Sequence, residues 1–242
     1  FLIDAINKLG GLPTRNYRQG QFEFAEQING EALYQTILAR HGKYSHTCMP
    51  GCVVCCSNVF LDTQGNELNR ALEFETITLM GANLGIGNLD DICELNRLCD
   101  EIGVDTMETG AALGVLMDAG LADFGDSQKA ISLVKEIANL TSLGRLLGSG
   151  ATATGKALNN TRIPAVRGQS MAAYDPRVLK GTGVTYATSP MGADHTAGNV
   201  LPGSQLPDGS IPDPTKAEKQ IELSRYIQIV ATMFDNLGFC WL

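Results

Sequence analysis

Basic residues are scarce in this chain, which has 18 Lys and Arg against 26 Asp and Glu in 242 residues. The formal net charge of −8 argues against non-specific binding to nucleic acid or to anionic membranes, because both need a basic face. Long apolar runs are missing too, since no stretch approaches the roughly 18 residues of a membrane span. The opening FLIDAINKLGG has neither a basic region nor the small residues of a cleavage site, so we expect no signal peptide there.

Cysteine is also sparse, but it is unevenly distributed. Four of the seven cysteines fall within CMPGCVVCC, residues 48–56. An odd number of cysteines without a visible export signal argues against a secreted disulfide scaffold. We therefore expect a cytoplasmic protein whose clustered thiolates act as ligands.

The remaining sequence predicts an all-α, multihelical fold with long Gly- and Pro-rich loops and little strand. The stretch NLDDICELNRLCDEIG has Asn88 at an N-cap and Gly103 where a C-terminal cap belongs. Asp105 and Glu108 then form a D-x-x-E capping pair that opens the next helix. A long helix is predicted over 215–238, ending at Gly238, and GVTYATS at 183–189 is the best strand signal.

The proline distribution predicts a domain junction. Seven of the nine prolines lie between about residues 162 and 215, together with many glycines. We therefore divide the chain into a helical domain, 1–163, which carries the cysteine loop, and an incomplete second helical domain, 164–242.

Residues 41–70 are predicted to form the loop region that bears the clustered cysteines, and these cysteines admit more than one ligand scheme. Cys48, Cys52 and Cys56 form C-x3-C-x3-C, whereas Cys52 and Cys55 form C-x2-C. A structural zinc site usually draws its ligands from two such knuckles, and no second knuckle follows at zinc-finger distance. His46 is close enough in sequence to enter a zinc site, although a surface role is the commoner one for a lone loop histidine.

The three other cysteines divide into two kinds. Cys93 and Cys99 fall at apolar positions of a helix and are predicted to be small core residues. Cys240 follows a helix-ending glycine, where a thiolate can project toward a neighbouring element. Three clustered cysteines and a remote fourth are an arrangement that iron–sulfur proteins use. The spacing favours an iron–sulfur cluster and leaves zinc and unliganded thiols open.

Two helix ends share a motif. DEIGVD at 100–105 reads D-x-x-G-x-D, and DNLGFC at 235–240 reads D-x-x-G-x-C. Ordinary helix termination explains each motif alone. Closely spaced carboxylates and turn amides at a helix end are also suited to grip a flat heterocycle that carries several N–H donors.

Taken together, these motifs resemble those of the aldehyde:ferredoxin oxidoreductase family of tungsten-pterin enzymes. The resemblance covers nearly the whole chain, as the second domain and part of the third domain of that family. It rests on five ordered blocks: CMPGCVVCCSN, LEFETITLMGANLGI, NRLCDEIGVDTMETGA, AYDPRVLKGTGVTYATSPMGADHTAG and DNLGFC.

The resemblance implies a set of site residues. A [4Fe–4S] cluster would be held by four cysteines: Cys48, Cys52, Cys56 and Cys240. The pterin of a tungsten or molybdenum bis-molybdopterin would be lined by three carboxylates and two backbone positions: Asp100, Asp105, Asp235, Gly103 and Phe239. Glu75 in FET and His195 in GADH match positions that face the substrate and move protons.

The resemblance also implies an activity and partners. The whole enzyme would oxidise aldehydes to carboxylic acids and pass electrons to a ferredoxin-like acceptor, and a homodimer is compatible with it. Family members that reduce aromatic thioesters leave another substrate class open. A non-enzymatic zinc or iron–sulfur helical module is a further alternative. Since the family's N-terminal domain is not in this sequence, we expect the chain alone to be inactive and to retain cofactor poorly.

Two departures from the family pattern bear on the site. The first two cysteines are separated by three residues, Met49-Pro50-Gly51, where some relatives have two, which leaves Cys55 open as a ligand. Thr196 and Ala197 follow His195, where some members carry a basic residue, which leaves the substrate class open.

Overall fold

The computed structural model describes residues 2–240, and helices are the main secondary structure. The longer helices are α1 (Leu2–Leu9), α3 (Gly30–Ala39), α5 (Leu89–Ile102), α6 (Thr106–Asp118), α7 (Ser127–Ala138), α9 (Gly150–Ala157), α10 (Lys180–Thr188) and α11 (Gln220–Leu237). The shorter ones are α2 (Ala25–Ile28), α4 (Phe74–Met80) and α8 (Ser142–Leu147), and a 3₁₀ turn covers Ala82–Leu84. The predicted multihelical fold is confirmed.

Two small antiparallel sheets accompany the helices. The larger contains β1 (Lys43–His46), β2 (Ser57–Leu61) and β3 (Glu67–Arg70), with β2 in the centre. Val59 pairs with Lys43 on one side and with Arg70 on the other. The smaller sheet is a two-residue hairpin, β4 (Ala165–Val166) and β5 (Gln169–Ser170). The cysteine-rich loop joins β1 to β2, so both of its ends are fixed by strand pairing.

Helix α4 lies near the centre of the molecule. It packs against α5 and α6, while α6 packs against α9 and α10 against α11. The buried residues of α4 include Ile77, Leu79 and Met80. The main apolar core extends from α1 to the segment around residues 172–193. The domain division at 163/164 stays a prediction.

The predicted helix caps of the central region are largely confirmed. The Asn88 side chain accepts hydrogen bonds from the backbone N–H groups of Asp90 and Asp91. Gly103 ends α5 in the left-handed conformation, with φ of 81°, which a residue with a Cβ adopts only at a cost. The Asp105 side chain accepts from the N–H of Glu108 at 2.6 Å. The pairing is not reciprocal, because the Glu108 carboxylate binds other segments.

Three predictions about secondary structure are wrong. Residues 183–189 are not a strand, since most of them belong to α10, where Thr182 and Thr185 bond to backbone carbonyls of the following segment. Tertiary contacts thus override the strand preference of β-branched residues. The region 41–70 is not a loop throughout, because it contains the three-stranded sheet. The last helix begins at Gln220 instead of 215, directly after Lys219 in a left-handed conformation.

Within residues 2–240, none of the helices combines the length and the apolar character that crossing a bilayer needs.

Candidate functional site

Glu75 is a buried carboxylate in the first turn of α4, where the helix dipole favours negative charge. Glu75 as a whole is 8% exposed to solvent. One carboxylate oxygen, Oε2, accepts a hydrogen bond of 2.8 Å from the backbone N–H of Ala173. A segment far along the chain therefore fixes the orientation of this acid.

His195 lies against the other oxygen of Glu75. The distance from His195 Nε2 to Glu75 Oε1 is 3.2 Å, which is an ion-pair distance without the alignment of a hydrogen bond. The contact with Glu75 raises the pKa of His195 above its usual value, and burial opposes this rise. More distant carboxylates, Asp194 and Asp105, act in the same direction as Glu75. The imidazole is 40% exposed, so this pair connects a buried acid to the surface.

Three buried tyrosines surround the pair. Burial raises the pKa of Tyr17, Tyr174 and Tyr186, and the nearby charge of Glu75 raises each of them further. All three phenols are therefore protonated and able to donate at neutral pH. The Tyr174 ring also stacks on Phe74, with ring centroids 5.4 Å apart.

The segment that binds Glu75 forms a tight turn. The N–H of Tyr174 donates to the carbonyl of Ala172 at 2.6 Å, which closes a three-residue γ-turn with Ala173 at its tip. The tip residue thereby points its own N–H out of the turn toward Glu75. The preceding residue is anchored as well, because the Met171 N–H donates to the Pro164 carbonyl at 2.8 Å.

A strained turn lies on the opposite side of this segment. Arg15, Asn16 and Tyr17 all have left-handed backbone conformations, with φ of 47°, 54° and 58°. For L-residues this conformation costs about 1–2 kcal/mol each, with Asn the most tolerant. Hydrogen bonds from the N–H groups of Arg15 and Asn16 to carbonyls of Ala82 and Asn83 hold the turn in place.

Glu108 joins three segments around the site. Its Oε1 accepts from the N–H of Ala151, at the start of α9, at 2.7 Å. Its Oε2 accepts from the N–H of Ser170, in β5, at 2.9 Å. The carboxylate thus secures the beginning of the segment that continues to the γ-turn.

The three predicted cluster ligands of the cysteine loop are accessible. Cys48 and Cys56 are exposed and Cys52 is half-buried. A bridge pairs His46 with Cys56 at the base of the loop. Exposed apolar side chains, Met49 and Val53, cover the tip.

Cys56 lies beside Glu73 and at the wall of a cavity. Partial burial is the largest cause that raises the pKa of the Cys56 thiol. The charge of Glu73 raises this pKa further, and Cys48 and Cys240 make smaller contributions in the same direction. Those contributions mean that the remote C-terminal thiol lies within electrostatic range of the loop. Cys56 and Glu73 also line a cavity of about 310 Å³, whose other walls are largely apolar.

The thiols are not drawn into a ligating arrangement. Within the part of the chain that the structure describes, no group of three or more His, Cys, Asp or Glu side chains is placed to hold a metal ion. Cys55 has a left-handed backbone, with φ of 49°, and its Sγ lies 3.3 Å from the Cys52 carbonyl oxygen. The predicted ligand set therefore stays a prediction.

The carboxylates of the first D-x-x-G-x-D motif are exposed, but each has a partner. Asp100 accepts from the Asn69 side chain of β3 at 2.9 Å, and Asn69 in turn accepts from Asn96 at 2.7 Å. Asp105 caps α6. Since the charge of Asp105 also contributes to the raised pKa of His195, Asp105 lies within electrostatic range of the pair formed by Glu75 and His195.

The second motif ends α11. Asp235 is exposed, and its carbonyl accepts from the N–H of Gly238, which has a φ of 68°. The Phe239 ring is 62% exposed and lies 6.5 Å from the Phe234 ring. The predicted pterin contacts of both motifs stay predictions.

Sequence reasoning missed the tyrosines and the turn around Glu75. Tyr174 lies within the family-like block AYDPRVLKGTG, which could have indicated a role near the site. No motif around Tyr17 pointed to the site. The Ala173 N–H is a backbone group, so no residue type marks it. The predicted core positions of Cys93 and Cys99 are confirmed, since both are 0% exposed.

The chain resembles known proteins over its full length. The sequence model of a family described as aldehyde ferredoxin oxidoreductase, domains 2 and 3, matches residues 1–242. A tungsten-containing aldehyde ferredoxin oxidoreductase of Thermococcus kodakarensis is 30% identical over 99% of this chain and 41% of that protein. One of the same description from Pyrococcus abyssi is 29% identical over the same shares.

A relative with another described activity matches a shorter region. The aliphatic sulfonate oxidoreductase, WOR-like subunit, of Pyrococcus furiosus is 28% identical over 63% of this chain and 28% of that protein. The chain spans less than half the length of the relatives that it matches. The match to the family model along the whole chain shows that this protein belongs to the aldehyde ferredoxin oxidoreductase family.

Proposed function

We propose that this chain is part of a tungsten or molybdenum bis-pterin oxidoreductase. The whole enzyme would oxidise aldehydes to carboxylic acids and pass electrons through a [4Fe–4S] cluster to a ferredoxin-like acceptor. The observation that carries the proposal is the buried Glu75 carboxylate 3.2 Å from His195, in a chain that the family model matches from end to end.

The residues present fit an iron–sulfur cluster in their chemistry. Thiolates are the ligands that such clusters take, and one loop supplies Cys48, Cys52 and Cys56. The Cys240 thiol lies within electrostatic range of Cys56, which supports a fourth ligand from the end of α11. We propose that these four hold the cluster and that Cys55, which faces the Cys52 carbonyl, is a neighbour.

The pterin contacts rest on the two helix ends. We propose that Asp100, Asp105 and Asp235 accept hydrogen bonds from pterin N–H groups, with the backbone of Gly103 and Phe239 beside them. A buried Glu75 Oε1 without a hydrogen-bond partner among the described residues fits a group bound next to it. When bound, the metal centre supplies two-electron oxidation and the cluster supplies transfer of single electrons.

Glu75 and His195 would handle the protons of the reaction. Oxidation of an aldehyde with an oxygen from water yields a carboxylic acid, two protons and two electrons. The contact with Glu75 raises the pKa of His195 and so favours its protonated form, and its partial exposure gives that proton a way to solvent. The Ala173 N–H keeps Glu75 oriented while the His195 proton moves.

The assembly and location are also proposals. Six cysteines are free thiols, in keeping with a reducing cytoplasm: Cys48, Cys52, Cys55, Cys56, Cys93 and Cys99. We propose that the enzyme includes a further N-terminal domain, because its relatives are more than twice as long as this chain, and that the chain alone is inactive. A homodimer is compatible with this proposal.

A different substrate is the second candidate. The similarity to the aliphatic sulfonate oxidoreductase subunit favours a family member that acts on something other than a simple aldehyde. Thr196 and Ala197 stand where some family members carry a basic residue, and this difference also leaves the substrate class open. An aromatic thioester would belong to this candidate too.

The test is a metal analysis with an activity assay of the full-length protein purified without oxygen. We expect tungsten or molybdenum, four iron and four acid-labile sulfide per chain, and aldehyde-dependent reduction of a viologen dye. Cys56→Ser should lose iron and the EPR signal of the cluster, whereas the matched Cys55→Ser should keep both. One zinc per chain with no labile sulfide would instead establish a zinc module. Full cofactor without aldehyde activity would favour the second candidate.

A further inference from the structure

The left-handed turn at residues 15–17 ends in a tyrosine that the proposed function does not use. Tyr17 is 4% exposed, and its hydroxyl reaches a segment more than 150 residues further along the chain. Its Oη lies 2.6 Å from the Ala172 carbonyl oxygen and 3.1 Å from that of Met171. The strained backbone therefore delivers one phenol to the Ala172 carbonyl of the γ-turn and to the Met171 carbonyl just before it.

Tyr17 and Glu75 hold the same turn from opposite sides. The Ala172 carbonyl accepts the Tyr17 hydroxyl and also closes the turn by accepting the Tyr174 N–H at 2.6 Å. Ala173, at the tip, donates to Glu75 at 2.8 Å. A change in the position of the Ala172 carbonyl would thus move the N–H that orients the acid.

Arg177 fixes Tyr17 in its turn. Its Nη2 donates to the Tyr17 carbonyl at 2.6 Å. Its guanidinium also donates to both carboxylate oxygens of Asp175, a residue that is 1% exposed. The N–H of Asp175 donates to the carbonyl of Gly11 at 3.1 Å. The 11–17 and 171–177 segments are therefore tied together at both ends.

We infer that Tyr17 is a positioning residue for Glu75, which it orients by holding the γ-turn that presents the Ala173 N–H. This inference rests on the proposed role of Glu75 in proton transfer. Tyr17 does not itself touch Glu75 or the reacting atoms.

The perturbation is Tyr17→Phe in the full-length enzyme, which keeps the packed ring and removes only the hydroxyl. We expect kcat to fall about tenfold, which corresponds to about 1.4 kcal/mol, with KM changed less than twofold. Metal and iron content should stay at the wild-type level. Tyr226→Phe, on α11, is the matched control and should leave kcat unchanged.

A double-mutant cycle with Glu75→Gln separates positioning from general stability. If Tyr17 acts through Glu75, Tyr17→Phe should cause no further loss in the Glu75→Gln background. The same fractional loss in both backgrounds would overturn the inference, and so would wild-type kcat in Tyr17→Phe. If Glu75→Gln is itself fully active, the proposed function fails, whatever Tyr17→Phe does.

Hydrogen exchange gives a readout without turnover. Peptides covering 171–175 should exchange faster in Tyr17→Phe and at the wild-type rate in Tyr226→Phe. Unchanged exchange in Tyr17→Phe would contradict the inference. Should Tyr17→Phe fail to fold, Arg177→Lys tests the same link. Lysine keeps a positive charge beside Asp175 but lacks the second guanidinium N–H group that donates to the Tyr17 carbonyl. It should show the same dependence on Glu75 in the cycle, and an additive loss would again count against the inference.

Discussion

Replacement of Glu75 by Gln should separate catalysis from stability. Gln keeps an oxygen that can accept the Ala173 N–H, and it replaces the other carboxylate oxygen, which faces His195, by a neutral NH2 group. The lost ion pair with His195 is worth about 0–1 kcal/mol, because the imidazole is 40% exposed. Removal of a buried charge returns a comparable free energy, since that charge is no longer desolvated.

The two terms nearly cancel for Glu75→Gln. We expect the free energy of unfolding to change by less than about 1 kcal/mol, which for a chain of this size is a shift in Tm below about 4 °C. Loss of the acid–base group that we propose Glu75 to be should lower kcat of the full-length enzyme by about 10²–10⁴. The assays are thermal unfolding followed by circular dichroism and aldehyde-dependent dye reduction.

Glu75→Ala is the matched comparison. It leaves the Ala173 N–H without its acceptor and should cost about 1–3 kcal/mol of unfolding free energy. The reasoning fails if Glu75→Gln is destabilised as much as Glu75→Ala, because Glu75 would then be a structural residue. It fails equally if Glu75→Gln keeps wild-type kcat.

Three further predictions concern other parts of the molecule. Since Glu75 raises the pKa of His195 above 6.5, the stabilisation from this pair should be present below about pH 6.5 and lost as the pH rises through the folded-state pKa. Unfolding across pH 5–9 should show this dependence, and His195→Gln should flatten it. Glu108→Ala should destabilise by about 2–4 kcal/mol, because two backbone N–H groups lose their acceptors, whereas Glu108→Gln should cost about 1–2 kcal/mol, because its single amide oxygen can still accept one of the two N–H groups; equal Tm values for both variants would contradict this. Burial raises the pKa of the Cys93 and Cys99 thiols to about 12, so iodoacetamide at about pH 8 should modify the exposed Cys48 first and these two only after unfolding; early labelling of Cys93, detected by peptide mass spectrometry, would be the contrary result.

Local signals predicted the central helices well. Asn88 and Gly103 bound α5 as expected because capping depends on neighbouring backbone groups, which the sequence specifies directly. The helix at 180–188 was missed because its threonines prefer strands in isolation, and their burial against α11 decides otherwise. That contact depends on residues about 40 positions away.

The site was predictable where side chains carry its chemistry. Glu75 and His195 were named through the resemblance of their motifs to the family, and the fold places them in contact. The Ala173 N–H and the strained residues before Tyr17 were invisible, because a backbone donor has no residue signature and left-handed conformations are favoured only for Gly and Asn. Glu108 was expected to complete a local capping box, but long-range donors compete for its carboxylate.

The attachment of the cysteine loop to paired strands has a consequence for how the family can vary. Strand β1 enters the loop and β2 leaves it, and the register between these strands sets the separation of the two ends. An extra amino acid between the first two cysteines can therefore bulge outward at the tip, where Met49 and Val53 already face solvent. Relatives with a different spacing between the first two cysteines can share one scaffold, because the tip of the loop accommodates the change in length while its base stays the same.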